Sequence, residues 1–401
     1  MSILSGKNIL LGITGGIAAY KTTYLVRHFI KAGAHVKIIM TPASKDFVTP
    51  LTLSTLSKNP VLSSFTNEED DSDIWNNHVD LGLWADVFVI APATANTMSK
   101  MASGNSDNFL LATYLSAKCP VYFAPAMDLD MYKHPSTTAS FSKLESFGNI
   151  IIPAGSGELA SGLVGEGRMA EPEDIVRFIE DDVLSKLPLR NKKILITAGP
   201  TYEAIDPVRF IGNHSSGKMG FELASAAANL GAEVILISGP TKEVISNSLV
   251  KVIPVTSAED MYVTAHEYFN SVDVVVCAAA VADYKPKHIA TQKIKKKTDT
   301  FTIELEKTKD ILASLGAIKQ QQIIVGFALE TNNEIENAKG KLKRKNLDFI
   351  VLNSLQDKGA GFGKATNKIT IIDADQSLTS FELKSKKDVA QDILNHLLNK
   401  L

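Results

Sequence analysis

Two doubly wound α/β domains in tandem follow from three features of the sequence. The chain carries one kind of opening twice. Lys7-Asn8-Ile9-Leu10-Leu11-Gly12-Ile13-Thr14-Gly15-Gly16 and Lys192-Lys193-Ile194-Leu195-Ile196-Thr197-Ala198-Gly199-Pro200 are both apolar runs ending in threonine and a glycine turn. Each opening is followed by a helix-like stretch (17–31 and 217–230), then Gly-Ala-x-Val and a second apolar run: Gly33-Ala34-His35-Val36 into 38–40, and Gly231-Ala232-Glu233-Val234 into 235–238. The runs do not alternate apolar with polar, which is the pattern of strands buried on both faces of a parallel sheet. Strand, glycine turn, helix, strand is the doubly wound unit.

Further strands are predicted at 87–91 and 121–124 in the first half, and at 272–278, 323–327 and 349–352 in the second. The stretch Ser185-Lys186-Leu187-Pro188-Leu189-Arg190-Asn191 is charged, holds a proline and precedes the second opening, so domains of 1–186 and 187–401 are expected. Either is long enough to bury its own core.

Composition narrows the function classes. Of 401 residues 45% are hydrophobic and 21% charged, with 42 Lys+Arg against 44 Asp+Glu. A net charge of -2 gives no basis for nucleic-acid binding by bulk charge. No apolar run approaches the ~18–20 residues of a membrane span, and no secretory pattern opens the chain, so a cytoplasmic protein with no membrane or nucleic-acid partner is expected. Cys119 and Cys277 stand far apart and in no CxxC, which argues against a disulfide framework or a cysteine zinc site.

In open parallel sheets ligands sit beyond the carboxyl ends of the strands, so polar residues there matter most. Thr14-Gly15-Gly16-Ile17 lies where the first strand meets the first helix, a place where backbone N–H groups can approach a phosphate. It is not GxGxxG, so the usual dinucleotide fingerprint is incomplete. The next strand ends in Thr41-Pro42-Ala43-Ser44. Two others end in Pro92-Ala93-Thr94-Ala95-Asn96-Thr97 and Pro125-Ala126-Met127-Asp128-Leu129-Asp130-Met131.

The last two segments resemble the signature motifs of the homo-oligomeric flavin-containing cysteine decarboxylases. The resemblance spans nearly the whole first half and implies a flavodoxin-like domain with FMN between subunits. It implies FMN contacts from Gly15, Gly16, Ile17, Thr41, Ser44, Thr94 and Asn96. It also implies that His78, heading a helix in Asn77-His78-Val79-Asp80-Leu81, takes part in catalysis. The acidic run Glu68-Glu69-Asp70-Asp71-Ser72-Asp73 before it reads as a solvated loop.

Two positions depart from the family pattern. Asp128 stands where the family has an asparagine that clamps the substrate. An ionised carboxylate cannot donate a hydrogen bond to a substrate carboxylate, so a neighbouring cation or a raised pKa, against an ordinary value of about 3.9, is the expected compensation. Ser161, in Gly155-Ser156-Gly157-Glu158-Leu159-Ala160-Ser161-Gly162-Leu163-Val164-Gly165-Glu166-Gly167-Arg168, stands where similar bacterial proteins have a proton-donating cysteine. A hydroxyl is a weaker acid than a thiol of pKa about 8.5. The glycine-dense segment reads as a flap over a site, with Arg168 positioned to meet an acidic ligand.

In the second half, Gly212-Asn213-His214-Ser215-Ser216-Gly217-Lys218 fits GxxxxGK, but Met219 replaces the hydroxyl that would hold Mg²⁺. What remains is a phosphate cradle at a helix start, with Ser215 and Ser216 as donors. Small residues in Ala278-Ala279-Ala280-Val281-Ala282-Asp283 permit close approach of a base or sugar, and Asp283 can bind a ribose hydroxyl or a metal. The run Lys293-Ile294-Lys295-Lys296-Lys297 is a solvated face or, beside a nucleotide, a triphosphate partner. Lys341 and Lys345 share one helix face.

These segments, with Ala198-Gly199-Pro200-Thr201 and Gly326-Phe327-Ala328-Leu329-Glu330-Thr331, resemble the phosphopantothenate–cysteine ligase family. The resemblance implies two half-reactions. CTP with Mg²⁺ activates the carboxylate of 4′-phosphopantothenate as an acyl-cytidylate, and the amine of cysteine then displaces the nucleotide. It implies that Asn213 holds the acyl-cytidylate and Lys293 stabilises triphosphate charge. Ala278, Ala279, Asp283, Lys309, Asp310, Ile311, Leu312, Phe327, Lys341 and Lys345 would form the nucleotide site, with Asp283 the metal ligand. The choice of CTP over ATP comes from the resemblance and not from charge. The first half would then decarboxylate the product to 4′-phosphopantetheine, with FMN as the oxidant. The alternative that Asp128 and Ser161 keep open is an active ligase fused to a non-catalytic or differently specific flavoprotein domain. An NAD(P) oxidoreductase is disfavoured by the absent GxGxxG, and a plain nucleotide-binding module by the number of polar strand ends.

Overall fold

The computed structural model describes residues 2–66, 75–295, 300–354 and 363–401. The acidic run 68–73, and Lys296 and Lys297 of the basic run, lie outside the described residues. The chain divides into two compact units, Met1–Ser185 and Lys186–Leu401.

The first unit runs β1 (Asn8–Ile13), α1 (Thr22–Lys31), β2 (His35–Met40), α2 (Pro50–Ser57), β3 (Val61–Leu62), α3 (His78–Trp84), β4 (Val87–Ala93), α4 (Ala95–Ser103), α5 (Phe109–Ser116), β5 (Val121–Pro125), α6 (Leu129–Lys133), α7 (Pro135–Ser146), β6 (Ile150–Ile151), a hairpin of β7 (Gly155–Glu158) and β8 (Val164–Arg168), and α8 (Pro172–Ser185). Its sheet has the order β3-β2-β1-β4-β5-β6, parallel throughout. Without the two-residue edge strand β3 the order is second-first-third-fourth-fifth, that of flavodoxin-like sheets.

The unbroken apolar runs are explained by burial on both faces. Leu11, Val87 and Val89 pack on one side with Leu25, Val26 and Phe29 of α1 and Ile175 and Ile179 of α8. Their neighbours Leu10, Phe88 and Ile90 pack on the other with Met98, Phe109 and Leu110. Side chains alternate across a strand, so one apolar run supplies both layers. Each such large side chain, fully buried, contributes about 1.5–3 kcal/mol.

The second unit runs β9 (Lys193–Ala198), β10 (Tyr202–Ala204), β11 (Phe210–Gly212), α9 (Lys218–Asn229), β12 (Glu233–Ser238), β13 (Val250–Pro254), α10 (Ala258–Phe269), β14 (Val274–Cys277), β15 (Tyr284–Pro286), β16 (Leu305–Lys307), α11 (Ile311–Ala317), β17 (Ile323–Glu330), α12 (Glu334–Arg344), β18 (Phe349–Ser354), β19 (Thr366–Asn367), β20 (Thr370–Asp373), β21 (Leu378–Ser380), β22 (Lys384–Ser385) and α13 (Lys386–Leu398). Its main sheet has the order β13-β12-β9-β14-β17-β18-β20-β21. The first six strands are parallel and the last two antiparallel. The sequence reading did not anticipate this antiparallel edge. The link between β20 and β21 is too short for a parallel crossover, which needs a dozen or more residues, so the chain turns back as a hairpin. α13 then packs under the sheet against α9 through Val389, Ala390, Ile393 and Leu394. Among the described residues no helix is long and apolar enough to cross a membrane.

Candidate functional site

Each unit has a cleft at the carboxyl edge of its sheet. In the first unit the turns after β1, β2, β4 and β5 surround a cleft of about 990 Å³, with the β7–β8 hairpin along one side. Gly15, Gly16, Ile17, Thr41, Thr94, Asn96 and Asp128 line it, as expected from their strand-end positions. Gly15 is required by a close approach: a Cβ there would stand 2.8 Å from that of Ala43. The turns are tied together by Thr14, whose Oγ1 donates to the Pro92 carbonyl at 2.6 Å and accepts from Thr94 N–H at 3.2 Å.

The hydroxyl of Thr41 is buried and makes no hydrogen bond among the described residues. An orphaned polar atom of this kind costs about 1–3 kcal/mol, which a ligand atom reaching it would relieve. Ile17, Met127 and Met131 give the same cleft apolar walls. A glycine turn, an orphan hydroxyl and flanking apolar side chains suit a flat ring carrying a phosphate.

Three predicted residues of this unit lie outside the cleft walls. Ser44 is buried, and its Oγ donates to the Thr41 carbonyl at 2.7 Å, so it shapes the turn rather than facing the cleft. Ser161 sits at the exposed tip of the hairpin, where its Oγ accepts from Leu163 N–H at 3.4 Å; Glu158, Leu159 and Ala160 reach the cleft instead. His78 is the first residue of α3, which Asn77 caps by accepting from Val79 N–H at 3.0 Å. Its ring packs edge-on against Phe65 and Trp75, and Nδ1 is buried without a partner among the described residues. The surface beside it, made by Trp75 and by α3, is apolar and exposed: Trp75 58%, Val79 42% and Leu83 57%.

Asp128 caps α6, accepting from Leu129 N–H at 2.6 Å. The cation expected to compensate it is not found: among the described residues no lysine or arginine bridges to Asp128. Arg168, expected to meet an acidic ligand, instead donates to Glu171 at 2.8 Å, and Glu171 also accepts from the buried Lys21 at 2.9 Å. The Lys21 hydrogen bond is the main reason that the Glu171 carboxyl lies below its ordinary range. The third cationic side chain of the cleft, Lys100, pairs with Asp107.

In the second unit a cleft of about 730 Å³ opens beyond β9, β14, β17 and β18. It brings together Asn213, Ala278, Ala279, Asp283, Lys309, Asp310, Ile311, Leu312, Phe327 and Lys345. Asn213 is held across its mouth, with Nδ2 donating to the carbonyls of Ala280 at 3.0 Å and Val281 at 3.1 Å. Its amide oxygen takes no part in these two bonds. Asp310 caps α11 and pairs with Lys345 at 2.8 Å. Burial pushes the Asp310 carboxyl up, but the Lys345 and Ala313 hydrogen bonds outweigh it and the net shift is downward. Lys309 pairs with Glu259 at 2.6 Å and lies 4.6 Å from the Tyr262 ring centroid.

Lys293 and Lys341 do not join this wall. Lys341 is drawn to Glu330 at 2.6 Å. Lys293 is exposed on a loop whose anchor is its neighbour: Ile294 N–H donates to Asp206 at 3.1 Å, and the Ile294 carbonyl accepts from Arg209 at 3.0 Å. The same carboxylate takes Arg209 Nε at 3.0 Å. With Arg209 as the leading cause, Asp206 is held well below the usual carboxylate range.

Sequence reasoning missed Lys307, Asn353 and Lys386 in this cleft. The segment Ser385-Lys386-Lys387-Asp388 does carry a helix-start signal. Nothing local says that this helix begins beneath a strand edge nearly 200 residues earlier in the chain. Among the described residues the cleft holds five lysines (218, 307, 309, 345 and 386) against Asp283 and Asp310, an excess that suits a polyanion. Among the described residues no group of three or more His, Cys, Asp or Glu could hold a metal. Asp283 by itself fits only an ion that a ligand's phosphates complete, as they do for Mg²⁺.

Comparison with known proteins matches these two units to two families. Residues 2–184 match the family described as Flavoprotein, and residues 189–401 the family described as DNA/pantothenate metabolism flavoprotein C-terminal domain. A protein of an unknown prokaryotic organism named cysteine/cysteine sulfinic acid decarboxylase is 55% identical over 88% of this chain and 99% of its own. The coenzyme A biosynthesis bifunctional protein CoaBC of Bacillus subtilis (strain 168) is 45% identical over 98% of this chain and 97% of its own. The crystal structure of the C-terminal domain of a CoaBC protein is 43% identical, covers 54% of this chain and 98% of its own, and has a TM-score of 0.46. The chain belongs to the family of bifunctional coenzyme A biosynthesis proteins, in which a flavoprotein domain precedes a pantothenate-metabolism domain.

Proposed function

We propose that this chain carries out two consecutive steps of coenzyme A biosynthesis. The second unit joins 4′-phosphopantothenate to cysteine with CTP, and the first decarboxylates the product. The observation that carries this reading is the contrast between the two clefts. One mixes apolar walls with strand-end polar groups, and its cationic side chains Lys21, Lys100 and Arg168 are each paired to a carboxylate. Among the described residues the other holds five lysines against two aspartates, with Lys309 and Lys345 paired. An activated acyl nucleotide needs the second kind, and a flavin the first.

In the ligase cleft Asn213 orients the acyl group through its free amide oxygen, while the lysines carry phosphate charge. Phe327, Ala278 and Ala279 leave room for a base or sugar beside them. Asp283 takes Mg²⁺ together with the triphosphate. In the first unit Gly15, Gly16 and Ile17 receive the FMN phosphate, and Thr41, Thr94 and Asn96 lie along the cofactor. FMN, when bound, supplies the two-electron oxidation that makes loss of CO₂ feasible. The protein is a homo-oligomer: the exposed Trp75, Val79 and Leu83 flank His78, and covering that face with a second copy carries His78 to the partner's cleft.

A second reading concerns the decarboxylase substrate. Asp128 presents a carboxylate to the cleft, and among the described residues no cation pairs with it. A carboxylate pairs with an ammonium group, which free cysteine has and an N-acylated cysteine lacks. The 55% identical relative, named for cysteine decarboxylation, favours the same reading.

One experiment separates these readings. Full-length protein is incubated with FMN, Mg²⁺, CTP, cysteine and 4′-phosphopantothenate, and the products are followed by mass spectrometry, with a parallel sample of FMN and cysteine alone. 4′-Phosphopantetheine from the full mixture supports the two-step reading. A stop at 4′-phosphopantothenoylcysteine, with cysteamine from the parallel sample, moves the first unit to free cysteine. No ligated product overturns the ligase assignment.

A further inference from the structure

The antiparallel ribbon of β15 and β16 sets Tyr284 opposite Lys307, Lys285 opposite Glu306 and Pro286 opposite Leu305. Side chains alternate across a strand, so Tyr284 and Lys307 share one face of the ribbon and Lys285 and Glu306 the other. Tyr284 and Lys307 both line the ligase cleft. The two acids nearest Lys307 in sequence have other partners: Glu306 pairs with Lys285 at 3.4 Å and Glu304 with Lys287 at 2.7 Å.

Lys307 differs from the other lysines of that cleft. Lys309 and Lys345 are held by Glu259 and Asp310, and Lys218 and Lys386 begin α9 and α13. Lys307 is exposed, and among the described residues no carboxylate pairs with it. Its place in the wall is fixed by the next residue. Thr308 N–H donates to the Asp283 carbonyl at 3.0 Å, and Thr308 Oγ1 donates to the Ala282 carbonyl at 2.6 Å. The two residues before these, Ala280 and Val281, are the ones whose carbonyls accept from Asn213. The segment 280–283 therefore ties Lys307 to the same stretch of wall as Asn213 and Asp283.

Ligation brings a further anion to that stretch. The amine of cysteine forms the new C–N bond to the acyl carbon. The bond from that carbon to the nucleotide's phosphate oxygen breaks, CMP leaves with the electron pair, and the two protons lost by the ammonium group go to solvent. The cysteine carboxylate sits on the carbon that bears this amine, so it lies close to the acyl group that Asn213 orients. A carboxylate held beside Asp283 and a phosphate needs a cation of its own.

We propose that Lys307, with the Tyr284 hydroxyl as a second donor, binds the carboxylate of the incoming cysteine. This role deepens the ligase reading and rests on it for the identity of the nucleophile. It places the amino-acid co-substrate at the β15–β16 ribbon, and it gives the enzyme a means of preferring an amino acid over the amine that lacks the carboxylate.

The test compares cysteine with cysteamine, which differ only in that carboxylate. Full-length protein and its Lys307→Met, Lys307→Arg and Tyr284→Phe variants are given CTP, Mg²⁺ and 4′-phosphopantothenate, and CMP release is followed at varied amine concentration. The readout is the ratio of kcat/KM for cysteine to that for cysteamine, from which any effect on the preceding activation step divides out. Wild type should favour cysteine. Lys307→Met should lower the ratio about tenfold or more, because losing one charge-assisted contact weakens only the ligand that makes it. Tyr284→Phe should lower it to a smaller extent, and Lys307→Arg should keep most of it. A folding defect slows both amines alike and leaves the ratio unchanged. The same ratio in wild type and Lys307→Met, including an equal loss with both amines, overturns the carboxylate role while the ligase reading stands. No CMP from wild type with either amine overturns the ligase reading and this role with it.

Discussion

The side-chain amide of Asn213 donates to the carbonyl of Ala280 at 3.0 Å, joining the loop before α9 to the loop after β14. This bond fixes which atom of Asn213 a ligand meets. Nδ2 is engaged by backbone carbonyls, so the amide oxygen is the polar atom left to accept from a ligand. Asn213→Ala is expected to lose about 10²-fold or more in ligation, measured as pyrophosphate release, without loss of FMN or of thermal stability. Asn213→Asp should do no better, because a carboxylate cannot donate to the carbonyls of Ala280 and Val281. An active Asn213→Asp would remove the positioning role.

Thr41 makes a prediction of opposite signs. Its buried hydroxyl has no partner in the protein alone. Thr41→Val keeps the shape and removes the orphan, so the flavin-free protein should gain about 1 kcal/mol, read as a rise of a few degrees in melting temperature. FMN affinity should fall by about tenfold, measured by quenching of flavin fluorescence. A drop in both quantities would mean the hydroxyl serves the fold and not the ligand.

The Asp206–Arg209 pair predicts a pH dependence of stability. The folded state holds Asp206 below its ordinary value, chiefly through Arg209. A depressed pKa contributes stability that is complete above the unfolded value of about 3.9 and is lost as the pH falls towards the folded value. Wild type should therefore exceed Asp206→Asn in melting temperature by a constant margin between pH 5 and 8, and the margin should shrink below about pH 4. A margin unchanged down to pH 3 would mean that the carboxylate's charge contributes nothing there.

Residues of the flavin half can be divided between subunits. His78→Ala should bind FMN and fail to decarboxylate. Gly15→Val, which drives a side chain into Ala43, should fail to bind FMN. If His78 serves the partner's cleft, co-expressing the two variants restores activity absent from either alone. Failure of the mixture to recover, with mixed oligomers demonstrated, would confine each site to one chain.

The thiols are expected to be inert. Burial pushes Cys277 up to about 12 and raises Cys119 as well. At pH 8 the native protein should hold roughly a thousandfold less Cys277 thiolate than an ordinary cysteine. Maleimide labelling read by mass spectrometry should be slow when the protein is native and fast when it is unfolded. Rapid native labelling of Cys277 would show a cleft more open than the one described.

The parallel sheets were legible in the sequence because their evidence is local. A strand buried on both faces, such as Val87–Ala93, must be apolar throughout, and the turn beyond it must carry its polar and small residues. The same logic found Gly15, Thr41, Thr94 and Asp128 at one edge, and Asn213, Ala278 and Asp283 at the other. Neither the pairing of Arg168 with Glu171 nor that of Lys341 with Glu330 was legible, since a charged side chain takes whichever partner the fold brings closest.

What the sequence determined by itself is the architecture, the order of the two units and the chemistry available at each strand end. These depend on patterns a few residues long. Which lysines face the ligase cleft, and how far His78 stands from its own flavin cleft, were decided by the tertiary structure. Lys218 and Lys386 meet because α13 returns under the sheet to lie beside α9, and no local pattern encodes that long-range contact. Burial, unlike composition, is a property of the assembled layers. A lysine at 6% exposure is therefore visible only once those layers are in place.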